Sequence, residues 1–229
     1  MSDNSPIRRS IERVPADLVK AAGKFQASIL ADVGGRRGTL GGRIQPLSKS
    51  MKVAGPAFTV EVRPGDNLMI HAALQLAQPG DVIVVDGKGD LSCALTGALM
   101  AAHAQKAGIA GFVIDASSRD SDTLARGSFP MFSSGRNPCG PTKGLGGTIG
   151  RPISVGGVSV QPGDLVVGDA DGVVIIPRQQ VRAVLAAADG KIAAERQRLE
   201  EISRGELVSP WLDAALKAAG LEPLYEDHK

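Results

Sequence analysis

Short apolar runs alternate along the chain with stretches whose apolar residues are spaced three or four apart. The short runs predict strands at 53–57, 58–63, 81–86, 111–115, 129–133, 153–155, 158–160, 164–168 and 172–176. The helical spacing predicts helices at 15–33, 67–76, 96–107 and 178–202. This alternation predicts an α/β fold with flanking helices, and the Gly156-Gly157 pair indicates a hairpin turn in the second half.

Three regions follow from the way composition changes along the chain. Residues 1–14 are polar and predict a flexible N-terminal arm. Residues 15–205 contain the periodic elements and form one predicted domain, and residues 206–229 form a predicted C-terminal tail with one short helix. The length of 229 residues fits this division, because one domain with an arm and a tail is of ordinary size.

The composition excludes several classes of function. Hydrophobic residues make up 43% of the chain but aromatic residues only 3%, so the core must be aliphatic. A net charge of +2 with both signs mixed throughout, and few aromatics for base stacking, argues against a nucleic-acid partner. No apolar run is long enough to span a bilayer, and the N-terminus lacks the apolar segment of a signal peptide. We therefore expect a soluble, cytoplasmic protein without a membrane partner.

The segment with the clearest chemistry follows the predicted strand at 111–115. Arg119 and Asp120 come within a few residues of its end, where ligands usually bind in α/β folds. Arginine can hold a carboxylate through two parallel hydrogen bonds, and aspartate is a hard oxygen ligand suited to Mg²⁺ or Mn²⁺. The pair suits a substrate that carries a carboxylate and needs a Lewis acid. A surface ion pair is the alternative interpretation.

A second polar feature is the start of the predicted helix at 96–107. Thr96 is the predicted N-cap, so the free N–H groups of residues 97–100 would form a carboxylate site. The alternative interpretation is that Thr96 only caps the helix and that water, not a ligand, bonds to these N–H groups. The two features converge, because this helix leads directly into the strand that delivers Arg119. In a βαβ unit the helix start and that strand end lie at the same edge of the sheet.

The long predicted helix after residue 178 carries a carboxylate on an apolar stripe. The stripe consists of Val181, Leu185, Ala188, Ile192, Glu195, Leu199 and Ile202. A buried carboxylate is costly unless it is paired or lies near a metal, which marks Glu195 as a candidate functional residue. The stripe could also reach the surface at that turn, or Glu195 could pair with an arginine or face a neighbouring subunit.

Other polar residues are weaker candidates. Asn67 and His71 are four apart on one predicted helix face, where a lone histidine is more often structural than catalytic. Cys93 and Cys139 lie far apart without CxxC spacing, which argues against structural zinc or a disulfide framework. Residues 169–172 resemble part of a calcium loop but lack its distal glutamate, so a turn between two strands is the better interpretation.

Four motifs together resemble the RraA-like family over residues 15–205. They are Pro64-Gly-Asp-Asn67-Leu-Met-Ile-His71, Gly97-Ala-Leu-Met100, Gly111-Phe-Val-Ile-Asp-Ala-Ser-Ser-Arg119-Asp120 and Gly168-Asp-Ala-Asp-Gly-Val-Val-Ile-Ile-Pro177. Within the family the chain most resembles the class II pyruvate aldolases, which cleave 4-hydroxy-4-methyl-2-oxoglutarate and 4-carboxy-4-hydroxy-2-oxoadipate. The resemblance implies a swivelling β/β/α fold, a keto-acid substrate and oxaloacetate decarboxylation as a side activity.

The resemblance also assigns roles to individual residues. It implies homotrimers or homohexamers with a site between subunits, and Mg²⁺ or Mn²⁺ as cofactor. Asp120 would bind the metal, and Glu195 would come from a neighbouring subunit. Asn67 would line the pocket, and pyruvate would be held by Arg119 and by the backbone of Gly97, Ala98, Leu99 and Met100.

The sequence departs from the family's catalytic pattern at two positions. At Thr123 an acidic residue often follows Arg-Asp in the family, and the neighbouring Asp122 could take its place. The other departure follows Gly97. Catalytic members commonly carry an acidic residue directly after the glycine that matches Gly97, where it orders water around the metal, and here that residue is Ala98. The family also contains a non-enzymatic protein that binds and inhibits the endoribonuclease RNase E. A regulator of that type is therefore the alternative to an aldolase, and the retention of Glu195 beside Arg119 and Asp120 favours the enzyme.

Overall fold

A computed structural model describes residues 5–221 of the chain. Its helices are α1 Ala16–Ala22, α2 Ala27–Val33, α3 Leu68–Leu76, α4 Ala98–Lys106, α5 Ser121–Arg126, α6 Val181–Ser203 and α7 Leu212–Ala218. Its strands are β1 Gln45–Pro46, β2 Val53–Glu61, β3 Val82–Thr96, β4 Gly111–Ser118, β5 Met131–Arg136, β6 Thr148–Ile149, β7 Ile153–Val155, β8 Val158–Val160, β9 Leu165–Asp169 and β10 Gly172–Ile176. The predicted α/β fold is confirmed.

A mixed sheet organises the chain, with strand order β1-β5-β4-β3-β2-β9-β10 and β6 added beside β2. The four central strands, β2 to β5, run parallel, whereas β1, β6 and β9 pair antiparallel with their neighbours. Helices α3, α4 and α5 connect the parallel strands in turn. Parallel strands joined in this way present their carboxyl ends at one edge of the sheet, which is where α/β proteins bind ligands.

Both faces of the central strands are buried, which explains why they appear in the sequence as unbroken apolar runs. One core cluster contains Phe58, Ile83 and Phe112, and the cluster on alternate positions contains Val84 and Phe132. Because the few aromatic residues are concentrated in these clusters, aliphatic side chains fill the remaining core.

Strand β3 is longer than the sequence predicts, and the extension bears on the site. The predicted strand ends at residue 86, whereas β3 continues to Thr96 through a bulged region with register shifts against β4. Lys88 has a positive φ of 61°, and its ammonium group contacts Asp86 and Glu61, each at 2.8 Å. The continuation of β3 beyond residue 86 was not predicted, because the charged residues of this bulge interrupt the apolar pattern.

The helix predicted at 15–33 is interrupted, so that prediction is wrong in its middle. Helix α1 ends before Gly23, and α2 begins at Ala27, whose N–H donates to the Asp169 carboxylate at 2.8 Å. The same aspartate accepts the N–H of Asp171 at 3.0 Å, in the turn between β9 and β10. The interpretation of residues 169–172 as a turn is therefore confirmed, and the turn also caps a helix.

The chain divides into two compact units, residues 1–188 and 189–229. In the second unit, Arg198 contacts the Glu201 carboxylate and the Leu207 carbonyl, both at 2.9 Å. This unit also contains α7, the short helix predicted in the tail. No helix within residues 5–221 combines the length and apolar character that crossing a membrane requires.

The predicted arm, residues 1–14, lies partly outside the described residues, and residues 5–14 are bonded to the rest of the first unit. The N–H of Arg8 donates to the Ile149 carbonyl at 2.9 Å, and that of Val14 donates to the Gly163 carbonyl at 3.1 Å. Between them, Arg13 grips the buried Asp81 carboxylate through two hydrogen bonds, of 2.7 and 2.9 Å. The bidentate pair fixes this segment more firmly than single backbone bonds would.

Candidate functional site

The ends of β3 and β4 lie side by side at the edge of the sheet and bring two sequence motifs together. Thr96 is paired with Ser118, and the N–H of Arg119 donates to the Thr96 carbonyl at 3.0 Å. Arg119 and Asp120 therefore follow β4 at the point where Gly97 begins the turn into α4. The structure brings the residues of the two motifs into direct contact.

Asp120 joins the two strand ends through its side chain. Its Oδ2 accepts a hydrogen bond from the N–H of Ala98, the first residue of α4, at 2.9 Å. Its backbone is left-handed, with φ at 59°, a conformation that costs energy for any residue with a side chain. Strain of this kind is typical of positions where the direction of a side chain matters for function. The arrangement aims the Asp120 carboxylate across the start of α4.

Gly97 makes this contact possible because it lacks a side chain. A β carbon at that position would lie 2.5 Å from Asp120 Oδ2 and 3.0 Å from Arg119 Cγ, both closer than ordinary packing allows. Its φ of −160° is ordinary extended backbone, so the requirement for glycine is purely steric. Position 97 requires glycine because any larger residue would occupy the space that the Arg119 and Asp120 side chains fill.

The Arg119 guanidinium group is available to a ligand. Within residues 5–221 it forms no hydrogen bond or ion pair, so the alternative interpretation of a surface ion pair with Asp120 is wrong. Gly140 approaches it from the loop after β5, and a β carbon there would lie 2.9 Å from Arg119 Nη1. This loop therefore lies against one side of the guanidinium.

The first turn of α4 supplies backbone donors beside Arg119. The N-cap position belongs to Gly97, not to Thr96 as predicted, because β3 continues through Thr96. The N–H of Ala98 is used by Asp120, which leaves those of Leu99 and Met100 as the donors that a helix start presents to an anion. Leu99 is 86% exposed, so this turn is open to a ligand.

Asn67 lies behind that turn, where it positions α4. It is 3% exposed, and its Nδ2 donates to the Leu95 carbonyl at 2.8 Å and to Met100 Sδ at 3.4 Å. Its Oδ1 is buried without a hydrogen-bond partner among the described residues. Asn67 was expected to line the pocket, and these contacts instead place it one layer below the backbone donors.

Asp66 organises the loop across from α4, and the sequence analysis missed it. Its buried carboxylate accepts hydrogen bonds of 2.7 Å from Gly144 N–H, 3.1 Å from Leu145 N–H and 2.7 Å from the Thr142 hydroxyl. Burial opposes ionisation, but these bonds and one from Leu68 outweigh it and lower the pKa of Asp66 to about 2. The turn motif Pro64-Gly-Asp before α3 was the only signal in the sequence.

Glu195 belongs to the second unit. It is exposed on α6 and pairs with Lys191, one helical turn earlier, at 3.2 Å. The predicted apolar stripe is buried at Val181, Leu185 and Ala188, whereas Leu199 and Ile202 are exposed. The alternative in which the stripe reaches the surface at that turn is therefore confirmed, and Glu195 pairs with a lysine instead of an arginine.

The donor set fits a hard divalent cation. Asp120 Oδ1 accepts no hydrogen bond from residues 5–221, so one carboxylate oxygen remains for a metal ion. Those residues contain no cluster of three or more His, Cys, Asp or Glu that could hold a metal by itself. Mg²⁺ is commonly bound through one or two carboxylates, with water and substrate oxygens completing its shell. Asp120 could therefore hold Mg²⁺ or Mn²⁺ together with a substrate.

Replacing Gly97 with alanine tests the contact between the two strand ends. We expect Gly97→Ala to fold but to lose at least about tenfold in affinity for pyruvate, measured by calorimetry, because the new methyl group displaces Arg119 and Asp120. Gly146→Ala is the matched control, since a β carbon there meets nothing within 4 Å. Equal pyruvate affinities for the two variants would contradict the steric role of Gly97.

Replacing Asp66 with asparagine tests the loop anchor. A folded pKa of about 2 against an ordinary 3.8 means that the charge stabilises the fold above about pH 4 and ceases to do so as the pH falls towards 2. We expect Asp66→Asn to lower the free energy of unfolding by about 2 kcal/mol at pH 7. In urea titrations this difference from the natural protein should shrink below pH 4, and a difference that stays constant with pH would exclude the role of the charge.

Comparison with known proteins supports one family. The family model described as RraA-like, Aldolase/RraA, matches residues 15–175. A protein of Halalkalibacterium halodurans named "Putative 4-hydroxy-4-methyl-2-oxoglutarate aldolase" is 46% identical over 160 residues, which cover 70% of this chain and 76% of that protein. The range matched by the family model includes Gly97, Arg119 and Asp120, whereas Glu195 lies outside it.

Solved structures agree with this match. The chain superposes on Streptomyces coelicolor RraAS2, described as an unusual member of the RNase ES inhibitor RraA family, with a TM-score of 0.72, 29% identity and coverage of 85% and 99% of the two chains. It superposes on the RNA-processing inhibitor RraA from Thermus thermophilis with a TM-score of 0.62, 27% identity and coverage of 67% and 93%. The expected swivelling β/β/α fold is confirmed, and the chain belongs to the RraA-like family.

Proposed function

We propose that the protein is a divalent-metal-dependent pyruvate aldolase that cleaves 4-hydroxy-4-methyl-2-oxoglutarate or 4-carboxy-4-hydroxy-2-oxoadipate. The observation that carries the proposal is the convergence of three groups around Gly97. They are the unpaired guanidinium of Arg119, the first-turn amides of α4 and the carboxylate of Asp120. A 2-keto acid presents a carboxylate and an adjacent keto oxygen, so it can engage an anion site and a metal site at the same time.

Arg119 and α4 would bind the carboxylate of the pyruvate part of the substrate. The guanidinium can donate two parallel hydrogen bonds, and the N–H groups of Leu99 and Met100 add donors at the positive end of a helix dipole. Asn67 keeps these amides in place through its bonds to Leu95 and Met100. The arrangement would fix the substrate so that the bond to be broken has one orientation.

Asp120 would hold Mg²⁺ or Mn²⁺, and Glu195 of a second copy is the proposed second carboxylate near it. When bound, such a cation supplies Lewis-acid stabilisation of negative charge on the keto oxygen. The backbone of Asp120 is fixed by its left-handed conformation and its side chain by the Ala98 N–H, so the carboxylate needs no reorganisation to serve as a ligand.

Cleavage would begin when a base, which we propose is a water molecule in the site, accepts the proton of the 4-hydroxyl group. The C3–C4 bond then breaks, its electron pair enters the pyruvate part as an enolate, and C4 leaves as the carbonyl carbon of a second keto acid. Arg119 would stabilise the enolate by holding its carboxylate, and protonation at C3 gives pyruvate. Oxaloacetate forms the same enolate when it loses CO₂, so we expect decarboxylation of oxaloacetate as a side activity.

We further propose a cytoplasmic homotrimer or homohexamer that takes a keto-acid substrate. The exposed side chains of Glu195, Leu199 and Ile202 on α6 support an assembly, because an apolar surface with a carboxylate suits a subunit contact. The side chain of Glu195 would then complete a site on a neighbouring copy.

A non-enzymatic regulator of RNase E is the second candidate. It is favoured by Ala98, which provides no acidic side chain beside Asp120, and by the likeness of the chain to two RraA proteins described as inhibitors of RNA processing or of RNase ES. Such a regulator would need the fold but neither a free Arg119 nor a strained Asp120. It would bind an RNase E-type endoribonuclease, and substitutions at these two residues would leave that binding unchanged.

Replacing Asp120 with asparagine separates the metal from the fold. Asparagine tolerates the left-handed backbone and can still accept the Ala98 N–H, but it lacks the charge that a hard cation requires. With oxaloacetate and with 4-carboxy-4-hydroxy-2-oxoadipate, we expect Mg²⁺-dependent pyruvate release that EDTA abolishes and that Asp120→Asn reduces at least about 100-fold. Asp17→Asn, at an exposed position on α1, is the control. Full activity of Asp120→Asn would exclude the metal role.

Replacing Arg119 with lysine tests whether the guanidinium group binds the substrate carboxylate through two hydrogen bonds. A lysine keeps the charge but cannot reproduce the two parallel donors, so we expect kcat/KM for pyruvate release to fall at least about 100-fold. Arg126→Lys on α5 is the matched control, since that arginine forms an exposed pair with Asp122. Absence of pyruvate release from the natural protein, together with tight binding to an RNase E-type enzyme, would favour the regulator.

A further inference from the structure

The two cysteines, distant in the sequence, are neighbours in the fold. The N–H of Ala94, which follows Cys93 in β3, donates to the carbonyl of Cys139 at 2.8 Å. The α carbon of Cys93 is two bonds from that nitrogen, and the α carbon of Cys139 is two bonds from that oxygen. The two α carbons therefore lie within about 8 Å of each other, and a disulfide needs them within about 7 Å, so a small movement is enough to bridge them.

The environments of the two thiols differ in the way that a reactive and a resolving cysteine differ. Cys139 is exposed, in the loop between β5 and β6. Cys93 is 5% exposed, within the core cluster. Burial, then the charges of Asp90, Cys139 and Asp66, raise the pKa of the Cys93 thiol, which disfavours direct reaction of its sulfur with a peroxide.

The loop that carries Cys139 can bring it to Cys93 without unfolding the sheet. Residues 137–147 contain no helix or extended strand, whereas Cys93 is fixed in β3. The loop is anchored at its far end by Asp66, through Thr142 and Gly144. The movement required is therefore a local one, of a short exposed segment between two fixed points.

We propose that Cys93 and Cys139 form a reversible intramolecular disulfide when the protein meets a peroxide. The sulfur of Cys139 takes one oxygen atom from hydrogen peroxide and becomes a sulfenic acid, and the first water leaves. The sulfur of Cys93 then attacks that of Cys139, the S–S bond forms, and the sulfenic oxygen leaves with the thiol proton as a second water. The two thiols lose two electrons, which reduce the peroxide.

The bond would act on the wall of the site already described. Cys139 precedes Gly140, whose backbone stands against the guanidinium of Arg119. Drawing Cys139 inwards to Cys93 moves the chain at Gly140 and so alters the surroundings of Arg119. Oxidation of the pair is a chemical property of these residues and does not depend on the proposed reaction.

Thiol labelling with mass spectrometry tests the disulfide directly. We expect the natural protein, treated with hydrogen peroxide, to lose both alkylatable thiols and two hydrogens in mass without forming cross-linked dimers. Dithiothreitol should restore both thiols. Two thiols that still alkylate, or a bond found only between chains, would overturn the proposal.

Two single variants assign the steps. In Cys93→Ser the resolving thiol is absent, so Cys139 should remain as a sulfenic acid that dimedone traps. In Cys139→Ser the buried Cys93 should give at least about tenfold less dimedone adduct under the same conditions. Equal adduct on both variants, or none on Cys93→Ser, would contradict the assigned order. Both substitutions are conservative, and the test on the natural protein requires neither.

Discussion

The site depends on one hydrogen bond, between the N–H of Ala98 and the carboxylate of Asp120 at 2.9 Å. It ties the start of α4 to the end of β4 and thereby sets where Arg119 stands relative to the helix amides. The bond exists only because Gly97 has no β carbon and because Asp120 adopts a left-handed backbone. The absence of a side chain at Gly97 and the left-handed backbone of Asp120 together fix the direction of the Asp120 side chain. Backbone strain at functional sites commonly has this purpose.

Around that bond, buried polar residues fix the walls of the site. Asn67 holds the first turn of α4 from below, while its neighbour Asp66 holds the loop at 142–145. The adjacent residues Asp66 and Asn67 therefore position two separate sides of the site, the loop at 142–145 and the first turn of α4. On α3, burial lowers the pKa of His71, and the charges of Lys143 and His103 lower it further. The proposed carboxylate site would therefore have its hydrogen-bond donors in place before a ligand arrives.

Much of the sheet and part of the site could be predicted from the sequence, for identifiable reasons. Unbroken apolar runs located β4 and β10, because strands buried on both faces have no polar alternation. The two strands predicted at 53–57 and 58–63 are one strand, β2, so the predicted break between them is wrong. Arg119 and Asp120 were predicted at the sheet edge from their place after β4. The extension of β3 to Thr96 was missed because the charged residues of the bulge interrupt its apolar pattern. The contact of Gly140 with Arg119 was missed because the two residues are distant in the sequence and no local motif indicates that they meet. The position of Asn67 below the backbone donors of α4 could not be predicted, because helix periodicity indicates which residues share a helix face but not how deeply each is buried.

Family membership does not decide between an aldolase and a regulator, since one fold serves both and chemistry resides in particular side chains. Ala98 removes one acidic group, while Arg119 and Asp120 keep the two groups that a keto acid and a cation require. The most direct measurement is a crystal structure of the protein soaked with pyruvate and Mn²⁺, using the anomalous signal of manganese. We predict a manganese peak bonded to Asp120 and a pyruvate carboxylate on Arg119 and the Leu99 and Met100 amides. Manganese bound elsewhere, or pyruvate absent from Arg119, would contradict the proposed site.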